Sequence, residues 1–333
     1  MTVLIGLILA VAVGVLPMVA YGLVLWWFDR YEKEPLGLLL AAFLWGAVPA
    51  IVFSLIVELA LGLPISLLAS PEATSLVEAA VIAPLAEEVF KGGALVLLFV
   101  FFRAEVDSPV DGILYGGLVG FGFASVENTL YFAGSLIDAG FGQFAGLALF
   151  RAFLFGLNHA LFTGLLGLGL AWGRAASQPL VKFGAPAVGL LAGIVTHAVH
   201  NTSVTIAGQL GWPCLIAFAS DWGGVALLVG VLLWSSLREQ RWIDRWLDDE
   251  VERGTLSRGD YEVASSHLAR LTTRAEAIFS GDLARWWELG RFYRMVTELA
   301  FNKRRLSRFP DDGEAEDRVE SLRAEVKGIG AKT

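Results

Sequence analysis

The hydrophobic positions of this chain form seven long apolar stretches, which short polar segments separate and a charged region follows. An apolar stretch of about 20 residues is long enough to cross a bilayer as a helix. We therefore predict an all-α fold, a polytopic membrane bundle of about seven transmembrane helices with a helical C-terminal tail. The predicted spans are approximately 3–28, 36–64, 74–102, 112–134, 142–171, 183–208 and 211–235.

The charged residues are distributed very unevenly between the two parts of the chain. Residues 1–236 hold only 7 of the 25 Lys and Arg and 14 of the 33 Asp and Glu. In residues 237–333, apolar side chains such as Trp242 and Trp246 recur at helical spacing. We predict a transmembrane domain over 1–236 and a cytoplasmic helical tail over 237–333, whose charged end after residue 311 is expected to fray.

Composition supports a membrane protein and excludes several other classes. Hydrophobic residues make up 56% of the chain and charged residues only 17%, whereas soluble domains carry about 25% charged residues. A single Cys excludes an internal disulfide framework and a cysteine-based metal site. The net charge is −8 and no basic tract is present, so we expect the lipid bilayer, and neither nucleic acid nor nucleotide, as a partner.

Basic residues alternate between the loops and predict an orientation. They occur after spans one, three and five and at the start of the tail, whereas the other loops hold none. The positive-inside rule then places the N-terminus outside and the tail in the cytoplasm. The residues concerned are Arg30, Lys33, Arg103, Arg174, Lys182, Arg238, Arg241 and Arg245.

Ionisable residues within the apolar stretches concentrate in four successive spans. A charge inside a membrane costs about 2.5–3.5 kcal/mol on insertion scales and usually marks function. With a rise of about 1.5 Å per residue, one such residue from each span lies about 18–23 Å from the predicted cytoplasmic end. The polar residues of these spans are Glu87, Glu88 and Lys91, then Glu127 and Asn128, then Asn158 and His159, and finally His197, His200 and Asn201.

Not every polar residue in the spans points to a site. Arg151 and Asp221 lie in the outer halves of spans five and seven, and we expect them to neutralise each other across a helix contact. Glu87 and Lys91 are four residues apart and can pair on one helix face. His200 is placed to face away from the other polar groups.

The carboxylates and imidazoles at this depth are suited to hydrolysis. Two imidazoles and one carboxylate are a common catalytic zinc set, and zinc activates water and polarises a carbonyl. A second carboxylate would act as the general base. The soluble-type H-E-x-x-H motif is absent, so we predict peptide hydrolysis in or beside the membrane. A metal-free version, in which Glu and His activate water, fits the same residues.

Four motifs on successive spans resemble those of the PrsW family of intramembrane proteases. Glu87-Glu88-Val89-Phe90-Lys91 is similar to E-E-x-x-K, and Phe123 to Asn128 is similar to F-x-x-x-E-N. His159 followed by Thr163-Gly164 resembles H-x-x-x-small, and His197 to Asn201 resembles H-x-x-x-N. The first loop, Asp29 to Pro35, is similar to the acidic-Pro loop of that family. The resemblance extends over about residues 20–235.

This resemblance implies a bacterial plasma-membrane protease that processes membrane-anchored proteins such as anti-sigma factors. It also implies a relation to the broader group of CAAX-processing and bacteriocin-immunity membrane proteins. We assign Glu87 or Glu88 to water activation, Lys91 to holding the Glu pair, and Asn201 to orienting His197 or binding the oxyanion. The expected metal ion is zinc, and its expected ligands are Glu127, His159 and His197.

Two other functions are compatible with the sequence. Glu and His inside a membrane also serve proton relays, so a proton- or cation-coupled transporter is the main alternative. No internal repeat typical of transporters is evident. The third possibility is a catalytically silent membrane scaffold that binds partners through its tail.

Overall fold

The computed structural model of the protein describes residues 2–29, 34–103, 105–106, 108–308 and 312–330. Within these residues the fold is all-α and contains no strand, which confirms the predicted fold class. The α-helices are α1 (Thr2–Phe28), α2 (Leu36–Trp45), α3 (Ile51–Leu68), α4 (Pro71–Val77), α5 (Ala83–Phe101), α6 (Pro109–Ala139), α7 (Phe141–Ala148), α8 (Asn158–Ala175), α9 (Pro179–Leu210), α10 (Cys214–Glu252), α11 (Arg258–Ser265), α12 (His267–Phe279), α13 (Leu283–Arg308) and α14 (Gly313–Gly330). Three π-helical segments, Gly46–Ala50, Glu78–Ile82 and Leu149–Leu154, join α2 to α3, join α4 to α5 and follow α7.

Helix α6 is the central element of the membrane region. It packs against α1, α2 and α8, and most of its residues are buried. Its start is fixed by a capping box, in which the Ser108 hydroxyl accepts from the Asp111 backbone N–H (3.3 Å) and the Asp111 carboxylate accepts from the Ser108 N–H (2.7 Å). Pro109 occupies the first turn, where its missing N–H costs nothing.

Two glycines of α6 allow its neighbours to approach closely. A Cβ atom at Gly120 would overlap the backbone carbonyl of His159 on α8. A Cβ atom at Gly122 would overlap the carbonyl of Phe43 on α2. Small residues of this kind let backbones meet in membrane bundles, and here they bring α8 and α2 against α6, the helix that carries Glu127.

The fifth predicted span, 142–171, is not a continuous helix as the sequence suggested. The π-helical segment ends at Leu154, Phe155–Leu157 form a turn, and α8 begins at Asn158. A Cβ atom at Gly156 would overlap the carbonyl of Ala152, so the tight turn depends on glycine there. The break places His159 in the first turn of a helix rather than in the middle of one.

Among the described residues, six helical stretches are long and apolar enough to cross a membrane by length and composition, and one of them, Phe141–Ala175, contains the break described above. The helical stretch over 71–101 is of similar length but is not among these six. Its second half carries three charged residues, Glu87, Glu88 and Lys91. The count of seven spans therefore stays a prediction. Many leucines and valines on α1, α3 and α9 are exposed, as expected of helices that face lipid; examples are Leu16, Leu59 and Val188.

The described residues divide into two compact units. The first comprises Met1–Asp29 and Glu34–Leu232, and the second includes Leu233–Thr333. Helix α10 continues without a break through this division, so the domain boundary after residue 236 stays a prediction. Arg30 and Lys33, on which part of the predicted orientation rests, lie outside the described residues.

The second unit is helical, as the spacing of its apolar residues predicted. Its core contains Ile243, Leu247, Phe292, Leu299, Val319, Leu322 and Val326. The buried Glu250 carboxylate accepts hydrogen bonds from Lys303 (2.6 Å) and Arg323 (2.7 Å). The expected fraying after residue 311 is wrong for 313–330, because α14 packs three apolar residues into this core.

Candidate functional site

Lys91 lies at the centre of a buried polar cluster in the first unit. Its side chain is 0% exposed, and Nζ donates to Glu87 Oε2 at 2.9 Å and to Glu88 Oε1 at 2.8 Å. Nζ also lies 3.1 Å from Nδ1 of His159 and 3.9 Å from the centre of the Phe123 ring. One ammonium group therefore joins the acidic pair of α5 to the histidine of α8.

The two histidines face the same carboxylate oxygen. Nδ1 of His159 and Nε2 of His197 each lie 3.9 Å from Oε2 of Glu87. This distance is too long for a direct hydrogen bond, so the three atoms surround a shared position. The planes of the His159 and His197 rings form an angle of 82°, and the ring centres are 5.4 Å apart.

The other nitrogen of each ring binds a second carboxylate. Nδ1 of His197 lies 3.0 Å from Glu88 Oε1, and Nε2 of His159 lies 2.9 Å from Glu127 Oε2. Carboxylates in this position fix the orientation and tautomer of a histidine. Each histidine is thus held by one acid while it presents its remaining nitrogen to Glu87.

Neighbouring side chains restrain these groups further. Thr163 donates its hydroxyl to Glu88 Oε2 at 2.9 Å. The ring of Phe162 stacks on His197 with centres 4.6 Å apart and an interplanar angle of 15°. Thr163 follows His159 by four residues, so one face of α8 supplies both the histidine and the hydroxyl.

Glu127 lies at the more accessible side of the cluster and has a second partner. Its side chain is 18% exposed, against 6% for Glu87 and 2% for Glu88. Arg151 donates to Glu127 Oε2 at 2.7 Å and to Asn128 Oδ1 at 2.9 Å. The expected pair of Arg151 with Asp221 is wrong, because Glu127 binds the guanidinium.

Asp221 instead pairs with His200, whose ring turns away from the cluster. Nδ1 of His200 lies 2.6 Å from Asp221 Oδ2. Asn201 is half-buried, and none of the described hydrogen bonds of Glu88, His159 or His197 comes from it. The structure brings six of the seven predicted site residues together and leaves Asn201 outside their hydrogen-bond network.

The donor chemistry of the cluster fits a metal ion. One carboxylate oxygen of Glu87 and one ring nitrogen each of His159 and His197 lie within 4.8 Å of one another, and all three residues are buried. Two imidazoles and a carboxylate match a catalytic zinc set. This grouping differs from the predicted one, in which Glu127 was the third ligand; Glu127 is bound by Arg151 and His159. Which acid is a ligand stays a prediction.

The position of the Lys91 ammonium group affects metal binding at this site. Its ammonium group is within hydrogen-bond distance of Glu87 Oε2 and His159 Nδ1, which are two of the three atoms around the shared position. Two cations this close repel each other strongly in a medium of low dielectric constant. Metal binding therefore requires the Lys91 ammonium to move away from Glu87 and His159.

Comparison with known proteins identifies the family of this chain. Residues 34–237 match the family described as PrsW family intramembrane metalloprotease, and these residues include all seven predicted site residues. The chain belongs to the PrsW family. This membership confirms the predicted family, and each of the four motifs falls within the matched region.

Two curated PrsW proteins are similar to this chain. Protease PrsW of Geobacillus kaustophilus is 35% identical over 159 residues, which are 47% of this chain and 63% of that protein. Protease PrsW of Oceanobacillus iheyensis is 32% identical over 118 residues, 35% of this chain and 49% of that protein. The chain thus spans about half to two-thirds of the length of these relatives. No solved structure matches it.

Proposed function

We propose that this protein is an intramembrane endopeptidase that hydrolyses peptide bonds of membrane-anchored proteins. The observation that carries the proposal is the convergence of Glu87 and two histidine nitrogens on one buried position, with a further carboxylate behind each ring. Such a set binds and activates water. Membership of the PrsW family and the names of its relatives support a protease.

The residues divide into three roles in this proposal. Glu87, His159 and His197 hold the reacting water, or a zinc ion that, when bound, lowers the pKa of water and polarises the scissile carbonyl. Glu88 and Glu127 orient the two imidazoles. In the metal-free form, Glu87, the acid that faces the shared position, takes up the proton released when the water attacks. Lys91 neutralises the acidic pair.

The substrate class and location remain part of the same proposal. The chain would act in the bacterial plasma membrane, with its N-terminus outside and its tail in the cytoplasm. Single-span regulators such as anti-sigma factors are the proposed substrates. We also propose the relation to CAAX-processing and bacteriocin-immunity membrane proteins that the resemblance to the PrsW family implies.

Reconstitution tests this function directly. The purified chain would be incorporated into liposomes with single-span bacterial membrane proteins tagged at both ends, and fragments would be measured by gel and mass spectrometry. We expect cleavage by the wild type and a loss of about 10–100-fold for Glu88→Gln, the range for groups that orient a site histidine. Glu105→Gln alters an exposed acid and serves as the matched control. Equal cleavage by Glu88→Gln and the wild type would overturn the proposed role of Glu88.

One feature also favours cation-coupled transport as a second candidate. The helical break at Phe155–Leu157 lies beside the polar cluster, and interrupted helices at polar sites are typical of transporters. The same liposomes, loaded with a pH-sensitive dye and with a metal indicator, distinguish the two functions. Flux that depends on Glu87 and His197, without any cleavage, would replace the protease proposal.

A further inference from the structure

A second cluster of buried polar side chains lies next to the helical break at Phe155–Leu157 and takes no part in the proposed reaction. It joins Asp221 on α10, His200 on α9 and Asn158 at the start of α8. All three residues are buried. Buried polar groups are costly unless they are hydrogen-bonded, so this arrangement across three helices needs an explanation of its own.

The hydrogen bonds have a defined direction. An ionised carboxylate only accepts hydrogen bonds, so Asp221 Oδ2 at 2.6 Å places the proton of His200 on Nδ1. Nε2 of His200 is then an acceptor, and it lies 3.3 Å from Nδ2 of Asn158, which donates. Asp221 thereby sets the tautomer of His200, and His200 sets which way the Asn158 amide points.

The direction of the Asn158 amide determines what its oxygen does. With Nδ2 turned towards His200, Oδ1 accepts the backbone N–H of His159 at 2.6 Å. The first backbone N–H groups of a helix have no partner within the helix. The Asn158 oxygen satisfies one of them at the residue that follows the break and carries a ring of the candidate site.

Aromatic packing holds the group in place. The ring of Phe155, within the turn, lies edge-on to His200 with centres 4.9 Å apart. Phe162 lies 6.1 Å from His200 and stacks on His197. The turn, His200 and the site histidine of α9 are therefore packed as one unit.

We propose that Asp221 and His200 are positioning residues for His159, which act through the amide of Asn158. They fix the first turn of α8 after the helical break and so fix the direction of the His159 ring towards Glu87. The proposal rests on the proposed function only for its effect on cleavage. The hydrogen-bond chain itself can be tested whether or not the protein is a protease.

Three variants test the chain of hydrogen bonds in full-length protein in lipid nanodiscs. Asp221→Leu removes the acceptor oxygens and keeps a branched side chain, and Asp221→Asn keeps an oxygen that can accept from His200. Asp138→Leu makes the same change at an exposed position and is the control. The readouts are the His200 tautomer from nitrogen NMR of ¹⁵N-histidine protein and the exchange of backbone amides in residues 158–163.

We expect the Nδ1–H tautomer for His200 in the wild type, in Asp221→Asn and in the control. Asp221→Leu should lose it and should speed the exchange of the His159 amide by about ten-fold, the scale of one lost hydrogen bond. Unchanged tautomer and exchange in Asp221→Leu would overturn the proposal.

Cleavage gives the separate test of positioning. We expect Asp221→Leu to lower kcat by about 10–100-fold, the range for groups that orient a site ligand, with KM unchanged and with recovery in Asp221→Asn. Faster amide exchange with undiminished kcat would overturn the catalytic consequence. If the wild type cleaves no substrate, the proposed function fails. The tautomer and exchange data still show whether Asp221 acts on the His159 amide through His200 and Asn158.

Discussion

Glu88 Oε1 lies 3.0 Å from Nδ1 of His197, while Nε2 of the same ring faces Glu87 at 3.9 Å. The pair of Glu127 and His159 repeats this relationship with the ring nitrogens exchanged. The three acids therefore have two different positions. Glu87 lies between the rings, and the other two lie behind them. The candidate site is built from two carboxylate–histidine pairs around one central acid.

This arrangement predicts different effects on metal binding for the central and the outer acids. Glu87→Gln replaces the anionic carboxylate of the ligand set with a neutral amide, and we expect it to abolish stoichiometric zinc binding. Glu127→Gln removes only the acid behind His159, so zinc affinity should fall by about 10–100-fold. Metal content after dialysis against competing chelators measures both. If Glu127→Gln abolishes binding and Glu87→Gln leaves it intact, Glu127 is the ligand, as the sequence first suggested.

Lys91 should compete with a metal ion for the same atoms. Removing one partner of a buried ion pair leaves uncompensated charge and costs about 3–5 kcal/mol, so Lys91→Met should lower Tm in metal-free buffer. Zinc would supply the missing positive charge, and we expect it to raise the Tm of Lys91→Met more than that of the wild type. Thermal unfolding in detergent with and without zinc measures this.

The control for this experiment is the double variant Lys91→Met with Glu87→Gln, which lacks the central acid as well as the ammonium. Zinc should stabilise it much less than Lys91→Met alone. Equal stabilisation of the single and double variants would show that the ion binds elsewhere. A lower zinc affinity in Lys91→Met than in the wild type would contradict competition.

Gly120 controls the approach of α8 to α6. A Cβ atom there would overlap the His159 carbonyl, so Gly120→Ala should lower stability by about 1–3 kcal/mol, the usual cost of overpacking, and should reduce cleavage. Gly134 lies on the same helix with no atom within 4 Å of the Cβ position. Gly134→Ala is therefore the matched control and should keep or slightly raise Tm. Equal effects of both variants would show that the close contact is unimportant.

The sequence predicted the convergence of the polar residues because membrane helices have few alternatives. A helix of known length and orientation places each residue at a defined depth, so Glu88, Glu127 and His197 could be placed in one layer. The apolar spacing also indicates a packed helix at the end of the chain, where the charge had led us to expect fraying. Val319, Leu322 and Val326 recur at helical spacing within the charged segment, and they pack into the tail core.

The depth of a residue in the membrane determines neither the rotation of its helix about the helix axis nor the continuity of the helix backbone. The pairing of Arg151 with Glu127, rather than with Asp221, depends on which way the π-helical segment before the break turns its side chains. Gly156 lies at the break at Phe155–Leu157, but Gly164 and Gly167 of the same predicted span lie within a helix, so glycine alone does not predict the break. For the same reason the sequence could not distinguish Glu87 from Glu127 as the acid between the rings.

The length of α10 bears on the predicted orientation. Its 39 residues span about 58 Å at 1.5 Å per residue, which is nearly twice the roughly 30 Å thickness of the hydrocarbon core. The helix must therefore extend well beyond the lipid, and the positive-inside rule assigns its Arg238, Arg241 and Arg245 to the cytoplasmic side. Asp138, at the opposite end of its own span, should then face outward.

Cysteine labelling tests this orientation in spheroplasts. In a Cys214→Ser background, which removes the only native thiol, we expect Asp138→Cys to react with a membrane-impermeant maleimide in intact spheroplasts. Arg253→Cys, at an exposed position just after α10, should react only after permeabilisation. Labelling of Arg253→Cys and protection of Asp138→Cys in intact spheroplasts would invert the topology. It would place the accessible side of Glu127 towards the opposite face of the membrane and require substrates to enter from there.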